Sequence, residues 1–155
     1  MSFVITAPAA DPVEAPIESG DFWPAIAPVK LRASHRIDSS ITPERLRAAL
    51  IEAVASVNGE LATWKEAQIL AGYATLDAVP ADEIDAVSIL LHRYERAIGC
   101  IAKADVTEHM RDFDTTNEGH RQADALDPVI DELRRDARWA ISAILGIGRS
   151  TVELI

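Results

Sequence analysis

The stretch from Thr42 to Gly72 restricts the fold more than any other part of the chain. Thr42 can cap a helix N-terminus with its hydroxyl, Pro43 suits the first helical position because it has no N–H to lose there, and Gly72 supplies a left-handed stop. Ile41 and Leu46 match a hydrophobic staple across that entry. Leu46, Leu50, Ala53, Val57, Leu61 and Trp64 recur at intervals of three and four, so the spacing predicts one long amphipathic helix, a rod of about 40 Å at ~1.5 Å per residue. A rod with one apolar face needs other helices to cover it.

A chain of 155 residues fits one domain that buries roughly two thirds of its unfolded surface, so its core needs no disulfide or metal. The single Cys100 has no internal partner, no apolar run reaches the ~20 residues of a membrane span, and the first residues lack a basic-then-apolar signal. The expected location is the cytoplasm of the producing cell, with no membrane partner. A formal net charge of −10 repels polyphosphate, which argues against nucleic-acid binding as the main task yet lets DNA pass nearby without sticking. Aromatic residues at 5% and abundant alanine suit close-packed helices better than a β-sandwich.

Residues 1–21 carry Pro8, Pro12 and Pro16 among four acidic residues and no Lys or Arg, an extended acidic arm that cannot fold by itself. Phe22-Trp23-Pro24 interrupts it with two large rings ahead of a proline. The pair reads as a peg, either an interface anchor or an attachment to the protein's own core. Pro28 then begins a short helical turn through Val29, Leu31, Arg32 and His35.

After a loop from Tyr73 to Pro80, Asp82, Glu83 and Asp85 gather where a second long helix is expected, from about Ala86 to Arg111. Acidic residues there are ordinary dipole chemistry, and no further ligands follow at metal spacing. Val87, Leu91, Tyr94, Ile98 and Ile101, widened by Leu90 and Ala97, make its stripe. Arg93, Arg96 and Lys103 collect on the opposite side, as a solvated face or an interface.

Asp112 to Arg121 is polar and turn-rich, and a third helix begins near Gln122, with Pro128 as a kink or a fresh start. Ile130, Leu133, Ala137, Ile141 and Ile144 form its stripe, and Gly146 and Gly148 end it. Gly-Ile-Gly is a stop and not a dinucleotide loop, which needs a strand before it and a helix after it. At 100° per residue, Trp139 points about 180° away from Ile130. Its indole is then either covered by Arg135, one turn earlier, or an interface anchor shared with it. From Arg149 to Ile155, polar and aliphatic residues alternate with the period of a strand that frays or adds to an edge or groove on another chain. The expected fold is all-α, a small bundle of three main helices plus a short N-terminal helix over residues 22–148, with extended arms at 1–21 and 149–155.

Catalytic and cofactor chemistry finds no foothold. His35, His92, His109 and His120 are too scattered for a helix-borne metal pair, Cys100 has no catalytic setting, and neither a nucleophile elbow nor a phosphate loop is present. No cofactor, metal or enzymatic activity is expected.

Phe22-Trp23-Pro24, Arg36-Ile37-Asp38, Ile41-Thr42 with Arg45-Leu46, Val57-Asn58 with Leu61, Gly72 to Leu76, Val79-Pro80 and Tyr94 with Arg96-Ala97 form a combined pattern. Arg111-Asp112, Ala123-Asp124, Leu133 to Ile141 and Arg149 to Ile155 continue it. In combination, and over nearly everything after Asp21, they resemble the GpL head completion proteins of contractile-tailed temperate phages. The resemblance implies a head–tail adaptor in the virion, assembled in the host cytoplasm as a twelve-fold ring of copies beneath the portal once DNA is packaged. It implies the portal and the next neck or tail-completion protein as partners, with DNA passing through the channel. On that reading Arg149, Thr151, Val152, Glu153, Leu154 and Ile155 contact the portal or neck, and Phe22, Trp23, Arg93, Arg96, Lys103, Arg135 and Trp139 are interface candidates. The rival readings are a non-virion assembly chaperone and a helical nucleic-acid-binding regulator. The regulator needs a basic recognition helix after a short turn, which this chain lacks.

Overall fold

The computed structural model describes residues 14–111 and 117–148, without the side chains of 110, 111 and 117–126. The fold is mainly helical, as expected. It runs α1 (Pro28–Ser34), α2 (Pro43–Glu60), α3 (Ala62–Leu70), a 3₁₀ turn at Leu76–Ala78, strands β1 (Glu83–Ile84) and β2 (Val87–Ser88), α4 (Ile89–Arg111) and α5 (Asn117–Ile144).

The predicted rod starts and stops where its caps demand. The Arg45 N–H donates to Thr42 Oγ1 at 3.4 Å, and Pro43 occupies the first turn. At the far end Gly72 takes φ 100°, and the Tyr73 N–H reaches back to the Gln68 carbonyl at 3.1 Å, which satisfies one of the orphan carbonyls of a helix end. The rod is not continuous. Leu61 sits at φ −93°, ψ 3° between α2 and α3, following Asn58 and Gly59, which are poor helix formers. The break sets Leu61 fully in the core, while α3 beyond it buries none of its residues and leaves Trp64 half-buried. Periodicity carries through Leu61 because the register survives the break, so the interruption leaves no mark on the apolar pattern.

α4 is the central element. Among the described residues it packs on α2 along one side and on α5 along another, and α2 and α5 scarcely touch. Tyr94, Ala97, Ile98 and Ala102 are all fully buried. Alanines at such positions let two helices approach α4 at once, so the buried surface is wider than one stripe and shifted from it: Leu91 and Ile101 are only half-buried. α5 begins at Asn117, earlier than Gln122, and runs through Pro128 without a fresh start. It ends in the second glycine stop, with Gly146 at φ 72° and the Ile147 N–H donating to the Ser142 carbonyl at 2.8 Å.

The N-terminal segment closes the core. Ile17 is buried and exchanges both backbone hydrogen bonds with Ile26, at 2.8 and 2.9 Å, so packing begins ahead of Phe22. Arg47 on α2 holds this segment by donating to the Ala15 carbonyl at 2.6 Å. Phe22 and Trp23 are core residues and are therefore unavailable as exposed interface anchors. Trp23 stacks on Tyr94 with centroids 4.8 Å apart and planes 3° apart, and Phe22 meets Trp23 edge-on at 4.9 Å. Tyr94 in turn donates its hydroxyl to Asn58 Oδ1 at 2.7 Å, which ties α4 to the end of α2. Burial pushes its phenol up to about 12.

The acidic cluster before α4 serves a hairpin rather than the helix N-terminus, whose first turn holds no acidic residue. Glu83 pairs with Ser88 and Ile84 with Val87, joined by Asp85 and Ala86 at φ 55° and 56°. That two-residue turn favours Asp-Gly, and an alanine in the left-handed region costs about 1–2 kcal/mol. Ala86→Gly removes that strain at an entropic cost of about 0.5–1 kcal/mol. A gain of roughly 0.5–1 kcal/mol is expected from urea unfolding, and a loss would show that the turn adopts another conformation.

α1 docks on α4 through His35, whose ring lies so close over Gly99 that a Cβ there would overlap it. Burial in this contact lowers the imidazole pKa, with Lys103 and Arg96 adding to the effect, while a hydrogen bond to Leu31 and the charge of Glu95 oppose it. The unfolded chain therefore takes up this proton first as pH falls. His35 contributes fully to stability above the unfolded value of about 6.5 and loses that contribution as pH drops below it. The urea midpoint is expected to fall between pH 7.5 and 5.5, and less so in His35→Gln; an equal fall in both proteins would remove His35 as the cause.

Candidate functional site

The C-terminal half of α5 carries the exposed chemistry. Its inner face, Ile130, Ala137, Ala140, Ile141 and Ile144, is buried. Trp139 lies off that face and is 38% exposed, as the helical geometry predicts. The Arg135 guanidinium sits 4.8 Å from its ring centroid, so the covering arginine and the exposed indole occur together.

Two of the other interface candidates reach across to α5, Arg93 half-buried and Arg96 exposed. Arg93 Nη1 donates to the Ala143 carbonyl at 3.0 Å, capping an orphan carbonyl in the last turn of α5. Arg96 pairs with Asp136 at 2.9 Å across the same helix pair. They thus face α5, the second partner that a one-stripe reading of α4 omits. Both line a groove of about 240 Å³ with His92, Trp139 and Ala143, so the structure brings Arg93, Arg96 and Trp139 to one place, with Arg135 against the indole. Lys103 lies outside that groove, half-buried near His35. Phe22 and Trp23 are in the core, and Arg149 to Ile155 fall outside the described residues.

A second surface lies off the apolar stripes of the helices. On the outer side of α2, Ile51 is 49% exposed. It belongs to a groove of about 380 Å³ whose wall is Ile17 and Glu18 of the N-terminal segment and whose floor includes Val54 and Ala55. The available signal was an isoleucine off the Leu46–Leu50–Val57 face. α3 adds a third feature, because Leu70 at its end is 88% exposed.

Among the described residues no group of His, Cys, Asp or Glu is placed to hold a metal ion. None of the described helices is long and apolar enough to cross a membrane. Cys100 is buried, and burial raises its thiol pKa, which disfavours the thiolate form that reacts.

An exposed indole with a guanidinium against it, beside open grooves on a helical frame, is chemistry suited to contact with another surface. The chain belongs to the phage head completion protein (GPL) family, whose model matches residues 17–155. It is 41% identical over 152 residues to the head completion/stabilization protein of Escherichia phage P2, an alignment that covers 98% of this chain and 89% of that one. No solved structure matches.

Proposed function

We propose that this protein is a virion component that completes the head after DNA packaging, as a ring of twelve copies beneath the portal. The ring closes the head and offers a platform to the next neck protein. The observation that carries this reading is the near end-to-end likeness to the phage P2 head completion/stabilization protein. The fold is compatible with it: a rigid three-helix layer can form the wall of a ring, and a net charge of −10 lets packaged DNA pass without being held. The protein assembles in the host cytoplasm and resides at the head–tail junction. The two ends of the chain tie each copy to its neighbours, with Thr151 to Ile155 pairing along a groove or sheet edge of the portal.

The test is quantitative mass spectrometry of purified virions together with micrographs of particles made without this protein. The expected result is a fixed copy number per virion and DNA-filled heads that lack tails. Absence from mature virions would replace the adaptor with an assembly chaperone. A chain truncated after Gly148 is expected to keep its helicity and unfolding midpoint and to lose attachment to portal-bearing heads; normal attachment would refute the role of the tail.

A further inference from the structure

We propose that in the free subunit the chain before Glu14 folds back over α2 and seats Phe3-Val4-Ile5 in the groove between the start of α2 and the end of α4. The contact forms before the ends of the chain reach a neighbour, so it stands or falls apart from the ring reading.

The groove measures about 420 Å³ and is lined by Ile41, Ala48 and Ala49 at the start of α2 and by Val106 near the end of α4. Leu46 and Leu50 fill the core side of α2, whereas Ala48 and Ala49 offer only methyl groups, so an apolar trough remains between the two helices. Arg45, Asp105 and His109 edge it, and the His109 ring lies 3.5 Å from the Asp105 carboxylate.

The direction of the N-terminal segment brings the chain to this groove. Phe22 meets Trp64, beyond the C-terminal end of α2, with ring centroids 6.3 Å apart, whereas Arg47 in the second turn of α2 holds the Ala15 carbonyl. The segment therefore runs antiparallel along α2, and the chain before Glu14 leaves at the end of α2 where the groove opens.

The reach is sufficient. Phe3 stands eleven residues before Glu14, a span of roughly 34 Å at ~3.1 Å per residue. Ile51 lies beside the docked segment and Arg45 at the groove, and at about 100° per residue the exposed Ala48 falls midway between them around α2. Half the circumference of a helix roughly 10–12 Å across is under about 20 Å, so the path over Ala48 is well within range.

The chemistry of the segment matches the trough. Phe3-Val4-Ile5 is the one run of bulky apolar residues in 1–13, and residues 1–10 carry no charged side chain. Docking it buries apolar surface on both sides without burying a charge. A covered trough also leaves the free subunit with less apolar surface to drive association.

Methyl NMR of the purified full chain, labelled at isoleucine and valine, tests the contact without portal or virion. Phe3→Ala is expected to shift the Ile41 and Val106 methyl resonances, because they lose the ring current of the phenyl group, and to leave Ile141 and Ile144 on α5 in place. Deleting residues 1–13 should reproduce the same shifts. Unlabelled full chain added to labelled Phe3→Ala should not restore the original positions, since the segment acts on its own subunit. No shift at Ile41 and Val106, or shifts that spread equally to Ile141 and Ile144, would overturn the proposal. Restoration on mixing would assign the groove to a second copy, and shifts produced by Phe113→Ala but not by Phe3→Ala would assign it to the chain between α4 and α5; either result overturns the proposal as well.

Discussion

Trp23→Ala is expected to lower stability by about 3–5 kcal/mol, enough to unfold a large fraction of a domain whose total stability is of order 5–15 kcal/mol. The indole fills the space between the N-terminal segment and α4, stacked on Tyr94 and edged by Phe22. The carbonyl of Phe22 also accepts the Leu76 N–H at 2.8 Å, so the same two residues hold the loop after α3. Losing the ring leaves a cavity walled by groups that are themselves tied down, and such a site collapses poorly. It also loses an aromatic pair worth about 0.5–1.5 kcal/mol beyond area burial. Urea unfolding followed by circular dichroism measures the change, and Trp23→Phe should recover part of it. A loss below about 1 kcal/mol would show that Trp23 is not a core residue.

Trp139→Ala should separate folding from assembly. The indole is 38% exposed and its stacked partner, Arg135, is exposed too, so the expected loss of monomer stability is under about 1 kcal/mol. An interface anchor costs about 2 kcal/mol or more on truncation, which is more than tenfold per contact, and the proposed ring would multiply that cost over its copies. Incorporation into portal-bearing heads is therefore expected to fall by more than tenfold while the purified chain unfolds at nearly the same urea concentration. A large loss of monomer stability, with normal incorporation of the folded remainder, would place Trp139 in the core. In dilute solution the purified chain is expected to be a monomer or weakly associated, since its exposed surface is largely charged and such contacts are weak without a template to align the copies.

Helix ends, the inner stripe of α5, the outward angle of Trp139 and the absence of a span-length apolar run follow from local rules. A proline, a threonine hydroxyl or a left-handed glycine acts on its own four or five residues, and a rotation of about 100° per residue needs no neighbour. Thr42, Gly72 and Gly146 could therefore be read directly, and so could the all-helical class and, through the combined motifs, the family. What lies across the fold could not. Arg93 and Arg96 read as a solvated face or an interface because sequence shows only one stripe per helix; packing on α5 takes Arg93 to the Ala143 carbonyl and Arg96 to Asp136, while Arg96 itself stays exposed. Asp82, Glu83 and Asp85 suggested a helix start, but the hairpin they belong to depends on a pairing that begins only at Val87. Trp23 and Ile17 joined the core, and Ile51 was left outside it, because burial is decided by which surface lies opposite a side chain. The sequence specifies helices and their polar and apolar faces; tertiary packing alone decides which of those faces are covered and which stay exposed.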